Sequence, residues 1–317
     1  MIWLIGSGEM AADYMKVLVA QNVKLLVIGR GAKSAAKFSS DTGLSVISGG
    51  LEKFLSTKPD LPDAVIVCVG VEQLAATTIE LLNYGIKKVL VEKPAGLNSL
   101  EIAQVSELAE KKTAAIFVAY NRRFFSSVLT AETIISTDGG VTSFNFELTE
   151  WSHVIGNLDK SDDVLSRWFL ANTTHVADMA FFLGGWPKKL STFTSGGNEW
   201  HPSATNFSGA GVSDTEALFT YQGNWKSAGR WGVEILTAKH RLIFRPLEQL
   251  HIQETGSIIN KKYEIDDRLD TEYKPGLYLQ VEDFLNNRYG RLCSIKEQLA
   301  NTALYNEMAG YINDPTL

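Results

Sequence analysis

The feature that most constrains the fold is a glycine-rich turn between an apolar run and an amphipathic segment. Ile2–Ile5 leads directly into Gly6-Ser7-Gly8-Glu9-Met10-Ala11, after which Met10, Tyr14, Met15 and Leu18 recur on one helical face. A strand that enters a GxGxxA turn and opens a helix has a specific use. The first Gly permits the tight turn, and the second lets backbone N–H groups approach a pyrophosphate. The small Ala allows close packing of helix on strand, and the helix N-terminus supplies positive potential. The pattern then repeats to about residue 121. Apolar, β-branched runs alternate with helix-period segments, predicting six parallel strands at Ile2–Gly6, Val23–Gly29, Leu44–Ser48, Ala64–Gly70, Lys87–Glu92 and Ala114–Tyr120. Each run is nearly continuously apolar, as strands covered on both faces should be.

Beyond Asn121 the texture changes. The runs Thr142–Leu148, Ala217–Tyr221, Val233–Thr237 and Arg241–Phe244 alternate apolar and polar residues, which predicts an antiparallel sheet with one solvated or ligand-facing side. Helix-period segments at about Leu277–Asn287 and Ser294–Ile312 close the chain. A length of 317 residues exceeds the roughly 250 at which single cores stop growing. The expected architecture is therefore an α/β Rossmann domain with a doubly wound parallel sheet over residues 1–121. An α+β domain with a large, mostly antiparallel open sheet follows over 122–317, tightly apposed to it with a cleft between them.

A formal net charge of -6 without a Lys/Arg block argues against nucleic acid as a partner. No apolar run approaches the roughly 20 residues of a membrane span, and no basic segment precedes Ile2, so a cytoplasmic protein without membrane partners is expected. Cys68 and Cys293 form neither a CxxC pair nor a His/Cys cluster, which argues against a disulfide framework or a metal site.

The tip of the second strand decides between dinucleotides. A site for NAD usually carries a carboxylate there for the ribose 2′-hydroxyl, whereas this chain has Gly29-Arg30. Arg30 offers a planar fork to a 2′-phosphate, with Lys33 and Ser34 near enough to assist, so NADP is expected in preference to NAD; the alternative is a solvated basic loop. The fifth strand ends in Glu92-Lys93-Pro94, placing Lys93 at the carboxyl edge of the sheet, where doubly wound folds bind ligands. Pro94 keeps Lys93 extended and out of the next helix. A partly desolvated lysine there suits proton exchange with a hydroxyl during hydride transfer.

With Tyr120-Asn121-Arg122-Arg123-Phe124 and Thr174-His175-Val176-Ala177-Asp178, these motifs resemble those of the Gfo/Idh/MocA oxidoreductase family over both domains. The resemblance implies that Lys93 is the active-site lysine and that His175 acts with it on a small-molecule substrate. It implies further that Glu92 and Asn121 adjoin the cofactor, and Tyr120 and Arg122 the substrate. The open sheet would carry substrate and mediate a homo-oligomer, a dimer or tetramer. Two departures stand out. The family's Asp four residues before the His is Ala171 here, with Asn172 one place later either binding a substrate hydroxyl or capping the helix. The Thr-Pro pair after the fourth strand is Val69-Gly70, which leaves backbone contacts to the cofactor. Asp178 reads as a helix-packing or hydrogen-bonding residue.

The second domain also holds Trp151, Trp168, Trp200, Trp225 and Trp231 beside His153, His201 and Arg230. Indole faces with polar neighbours suit sugar rings, and Trp168, Trp231 and His153 are the candidates singled out, with buried core the default for the rest. The expected activity is hydride transfer between a nicotinamide dinucleotide and a sugar, polyol or nucleotide sugar. The alternatives are a reductase of a non-sugar carbonyl compound and a non-catalytic dinucleotide-binding regulator.

Overall fold

All six expected strands form, each shorter than its apolar run, in the computed structural model, which describes residues 1–311. They are β1 (Ile2–Ile5), β2 (Leu25–Gly29), β3 (Val46–Ser48), β4 (Ala64–Val67), β5 (Lys88–Val91) and β6 (Ala115–Val118). Between them run α1 (Glu9–Ala20), α2 (Ala32–Thr42), α3 (Gly50–Ser56), α4 (Leu74–Tyr84) and α5 (Ser99–Lys111). The strands pair in parallel in the order β6-β5-β4-β1-β2-β3, with Ile2 in register with both Leu25 and Ala64. The order reverses beside β1, so the carboxyl ends of β1 and β4 frame the crevice in which such sheets bind ligands. Burial follows the apolar pattern: all of β1 and β4 is buried, and α1 turns Ala11, Tyr14, Met15, Val17 and Leu18 inward, leaving Met10 at the margin.

The chain divides into two compact units. Met1–Tyr120 and Leu277–Thr302 form one unit, while Asn121–Gly276 and the described residues from Ala303 form the other. The return to the first unit covers its edge. Cys293–Ser294 adds an antiparallel strand outside β6, with Cys293 opposite Val118. The helix Leu277–Leu285 buries Leu277, Val281 and Phe284, Gln21 donates to the Tyr278 carbonyl at 3.0 Å, and Lys88 Nζ donates to that of Leu285 at 3.2 Å. An uncovered β6 would have left unpaired backbone groups and apolar surface. The last helix spans Ile295–Ala309, Ser294 belonging instead to the short strand; its expected end at Ile312 lies outside the described residues.

The second unit is built on α6 (Ser126–Asp138), β7 (Ser143–Glu147), α7 (Ser152–Ile155), α8 (Asp162–Ser166), α9 (Thr174–Gly184), β8 (Pro187–Ser195), β9 (Asn206–Ser213), β10 (Leu218–Asn224), β11 (Gly232–Leu236), β12 (His240–Phe244), β13 (His251–Glu254) and β14 (Lys261–Lys262). Its sheet runs β14-β13-β12-β11-β7-β10-β9-β8, antiparallel except where β7 and β10 pair in parallel. Phe146 and Phe219 meet Phe181 of α9 edge-on, with ring centroids 5.3 and 5.5 Å away, fixing that helix on one face of the sheet. On β10 the alternation is complete: Phe219 and Tyr221 are buried, and Leu218, Thr220 and Gln222 are exposed.

Candidate functional site

In the first unit the GxGxxA turn shapes one side of a cleft of about 580 Å³. Gly6 has φ +127°, and a Cβ there would stand 2.5 Å from the Cys68 carbonyl oxygen, so the turn closes only on glycine. Gly8 is different. It is the N-cap of α1 without a side-chain cap, and a Cβ on it would meet nothing within 4 Å. The amide end of α1 therefore faces open space, the geometry a pyrophosphate needs, and the residues present fit a dinucleotide.

The cleft is lined by Gly6, Ser7, Gly8, Arg30, Ser34, Val69 and Gly70 from the expected set, together with Cys68, Gln73 and the carboxylates Glu52, Glu72 and Glu80. No acid stands at the tip of β2. Arg30 lies over Gly50 with Nη1 3.5 Å from the Gln73 amide oxygen, and the Ser7 hydroxyl donates to Ser34 at 3.2 Å. Lys33 is exposed on α2; Glu9, Met10 and Ala11 belong to the turn and Gly29 ends β2, none of the four lining the cleft. Burial pushes the Cys68 thiol well up, so it stays protonated and unreactive.

Lys93 lies two residues past the end of β5 and is half-buried. The residues around it are held in three ways. The Tyr14 hydroxyl donates to Glu92 Oε1 at 2.8 Å, and burial together with the Glu92 charge keeps that phenol protonated. Gln298 Nε2 donates to the Pro94 carbonyl at 3.1 Å. A capping box opens α5, with Asn98 accepting from the Glu101 amide at 3.0 Å and Glu101 accepting from the Leu97 amide at 2.7 Å. Tyr120 is buried in the core of this unit.

In the second unit His175 sits in the first turn of α9, 8% exposed, with its ring 6.2 Å from that of Trp231. The guanidinium groups of Arg122 and Arg230 lie 5.0 and 4.4 Å from the same indole. Behind them is Glu150, 1% exposed. Its Oε1 accepts from Asn172 Nδ2 at 3.0 Å and from the Thr173 hydroxyl at 2.9 Å, and its Oε2 from Arg230 Nη1 at 2.6 Å. Asn172 thus holds Glu150 and does not cap the helix; it belongs to a single π-helical turn, Phe169–Thr173, that leads into α9. Such turns often mark functional sites. Asp178 is fully buried and gripped by Arg123 through two bonds of 2.9 and 2.6 Å, a packing role.

The remaining aromatic candidates separate. Trp168 and Trp231 are buried, and neither indole N–H has a hydrogen-bond partner among the described residues. His153 is exposed on α7 and lines a surface hollow with Trp151, Trp225 and Lys226. Trp225 donates to the Leu148 carbonyl at 3.0 Å and is core, as is His201. Asn121 donates to the Pro275 carbonyl at 2.9 Å. Glu150 escaped the sequence reading because one acid after an apolar strand carries no periodic or motif signal.

A glycine-rich turn on the first strand of a doubly wound parallel sheet defines an NAD-binding Rossmann domain. Residues 1–120 match the model of the Gfo/Idh/MocA oxidoreductase family, NAD-binding Rossmann fold. No curated protein sequence matches the chain. Solved structures share its fold over nearly its whole length. A Gfo/Idh/MocA family oxidoreductase from Vibrio cholerae is 18% identical, covering 99% of this chain and 98% of its own, with a TM-score of 0.77. UDP-N-acetylglucosamine 3-dehydrogenase from Acidithiobacillus ferrooxidans is 15% identical, with 97% and 96% covered and a TM-score of 0.74. Levoglucosan dehydrogenase, in complex with NADH and levoglucosan, is 16% identical, with 98% and 96% covered and a TM-score of 0.77. Among the described residues no helix is long and apolar enough to cross a membrane.

Proposed function

We propose that this protein transfers hydride between NADP(H) and a hydroxyl or carbonyl carbon of a sugar, polyol or nucleotide sugar. One observation carries the reading most: the uncapped amide end of α1, facing open space at Gly8 at the carboxyl edge of the parallel sheet. The dehydrogenases of similar fold that act on a nucleotide sugar and on levoglucosan support the substrate class.

The turn from Gly6 to Ala11 holds the pyrophosphate, and the backbone at Val69 and Gly70 flanks the dinucleotide. Arg30 and Ser34 take the 2′-phosphate, in place of the acid that would select the 2′-hydroxyl of NAD. When bound, the nicotinamide supplies the hydride acceptor or donor. Lys93 Nζ takes the proton of the substrate hydroxyl on oxidation and returns it on reduction, and His175 binds the same oxygen. Trp231 and Trp168 pack on the sugar, with Arg122 beside them.

A single feature favours a dinucleotide-binding regulator instead: the buried Ala171, where an acid would stand four residues before His175. Titrating the protein with NADPH by fluorescence, then screening sugars, polyols and nucleotide sugars at the nicotinamide absorbance band, tests both readings. Dinucleotide binding with turnover is expected. Binding without turnover of any candidate would favour the regulator, and no binding would overturn the proposal.

A further inference from the structure

We infer that Arg230 recognises an oxyanion on the substrate, so that the molecule this site takes is an acidic sugar, either a sugar carboxylate or a sugar phosphate. The inference rests on the function proposed above and narrows its substrate class.

Three features converge on this residue. Its guanidinium carbon lies 5.1 Å from the ring of Trp151 and 4.4 Å from that of Trp231. Stacking of that kind fixes the plane of the fork, and a fixed fork loses little entropy on binding a planar or tetrahedral oxyanion. One nitrogen, Nη1, is already spent on Glu150 at 2.6 Å. That carboxylate is 1% exposed and its other oxygen is taken by Asn172 and Thr173, so it anchors the arginine from behind. The side chain remains 43% exposed, and a guanidinium with five N–H donors has an unused edge once one nitrogen is anchored.

The surroundings agree with that use. Arg122 lies 5.0 Å from the same ring, and the buried Trp231 N–H is a further donor without a partner among the described residues. His175 is a second neighbour of the same indole, with ring centroids 6.2 Å apart. A structural arginine would need neither the stacked pair nor the exposed edge. Charge-assisted, two-pronged bonds of this type are the strong ones.

Isothermal titration calorimetry on the full chain saturated with NADP⁺ tests the inference with two matched pairs, D-gluconate against sorbitol and glucose 6-phosphate against glucose. In at least one pair the charged probe should bind at least about tenfold tighter than its neutral counterpart. The pair with the larger difference identifies carboxylate or phosphate as the group read. Arg230→Gln should abolish the difference and Arg230→Lys should recover only part of it, because a lysine keeps the charge and loses the fork. NADP⁺ affinity, measured in each variant, reports that the protein remains folded. Neutral probes binding as tightly as charged ones, a preference that survives Arg230→Gln, or no binding of any probe would each overturn the inference. Turnover of neutral sugars independent of Arg230 would leave the proposed function standing, whereas failure to bind NADP⁺ would remove that reading itself.

Discussion

Alanine substitutions two residues apart, at Gly6 and Gly8, should behave in opposite ways. At Gly6 the backbone has φ +127°, and a Cβ would stand 2.5 Å from the Cys68 carbonyl oxygen, which belongs to the backbone leaving β4 and has no side chain to swing aside. The strained dihedral and the forced contact each cost on the order of 1–3 kcal/mol, so Gly6→Ala should destabilise by roughly 3 kcal/mol and lower the melting temperature by on the order of 10 °C. Gly8 has φ -94°, and a Cβ there meets nothing within 4 Å. Gly8→Ala should change stability by no more than about 1 kcal/mol, since glycine is only a moderately better N-cap than alanine. The added methyl would instead occupy the space a pyrophosphate approaches, and NADPH affinity should fall at least about tenfold, or 1.4 kcal/mol. Circular dichroism melting without ligand and calorimetric titration with NADPH separate the two effects. Parental NADPH affinity in Gly8→Ala, or parental melting of Gly6→Ala, would refute the reasoning.

Lys93→Ala should lower turnover by at least about a hundredfold with cofactor affinity little changed, and His175→Ala by about tenfold or more in rate, substrate affinity or both; steady-state kinetics with parental rates for Lys93→Ala would contradict the assignment. His201 should make the fold acid-sensitive. Its ring is buried between the Ala204 carbonyl and the Tyr311 hydroxyl, and burial lowers its pKa from 6.5 to about 4. Above 6.5 the ring is neutral in both states and costs nothing. As pH falls below 6.5 the unfolded chain gains a proton that the folded one refuses, so stability drops by about 2 kcal/mol at pH 5. Urea titrations at pH 7 and pH 5 should show that part of the drop missing in His201→Gln. The outer sheet face exposes Phe193 (70%) and Leu218 (63%), which favours pairing with a second copy; light scattering showing only monomer at micromolar concentration would count against this.

The first sheet was legible because strands buried on both faces must be apolar throughout, and β1 and β4 contain no polar residue. In the second sheet β7, β10 and β11 were legible through alternation. β9 was not, since Asn206-Phe207-Ser208-Gly209-Ala210-Gly211 is poor in strand formers, and β8 is an edge strand exposed over most of its length. Gly209 and Gly211 are small because the rings of Tyr221 and Phe219 on β10 lean over them, a cross-strand fact with no local trace. The return of 277–302 to the first unit was hidden for a similar reason: an amphipathic helix announces an apolar face and not which sheet receives it. The positions of Lys93 and the glycine turn were readable from the apolar runs that precede them. Glu150 and its hold on Asn172, Thr173 and Arg230 depend on contacts between residues 22 to 80 positions apart.

Paired titrations of the parental protein with NADPH and NADH, read by nicotinamide fluorescence, test the central claim most directly. Arg30 at the acid-free tip of β2, with Ser34 in the first turn of α2, predicts at least about tenfold tighter binding of NADPH, with the gap narrowed in Arg30→Ala. Failure to bind either dinucleotide would contradict the account outright, and equal affinities would contradict the role given to Arg30.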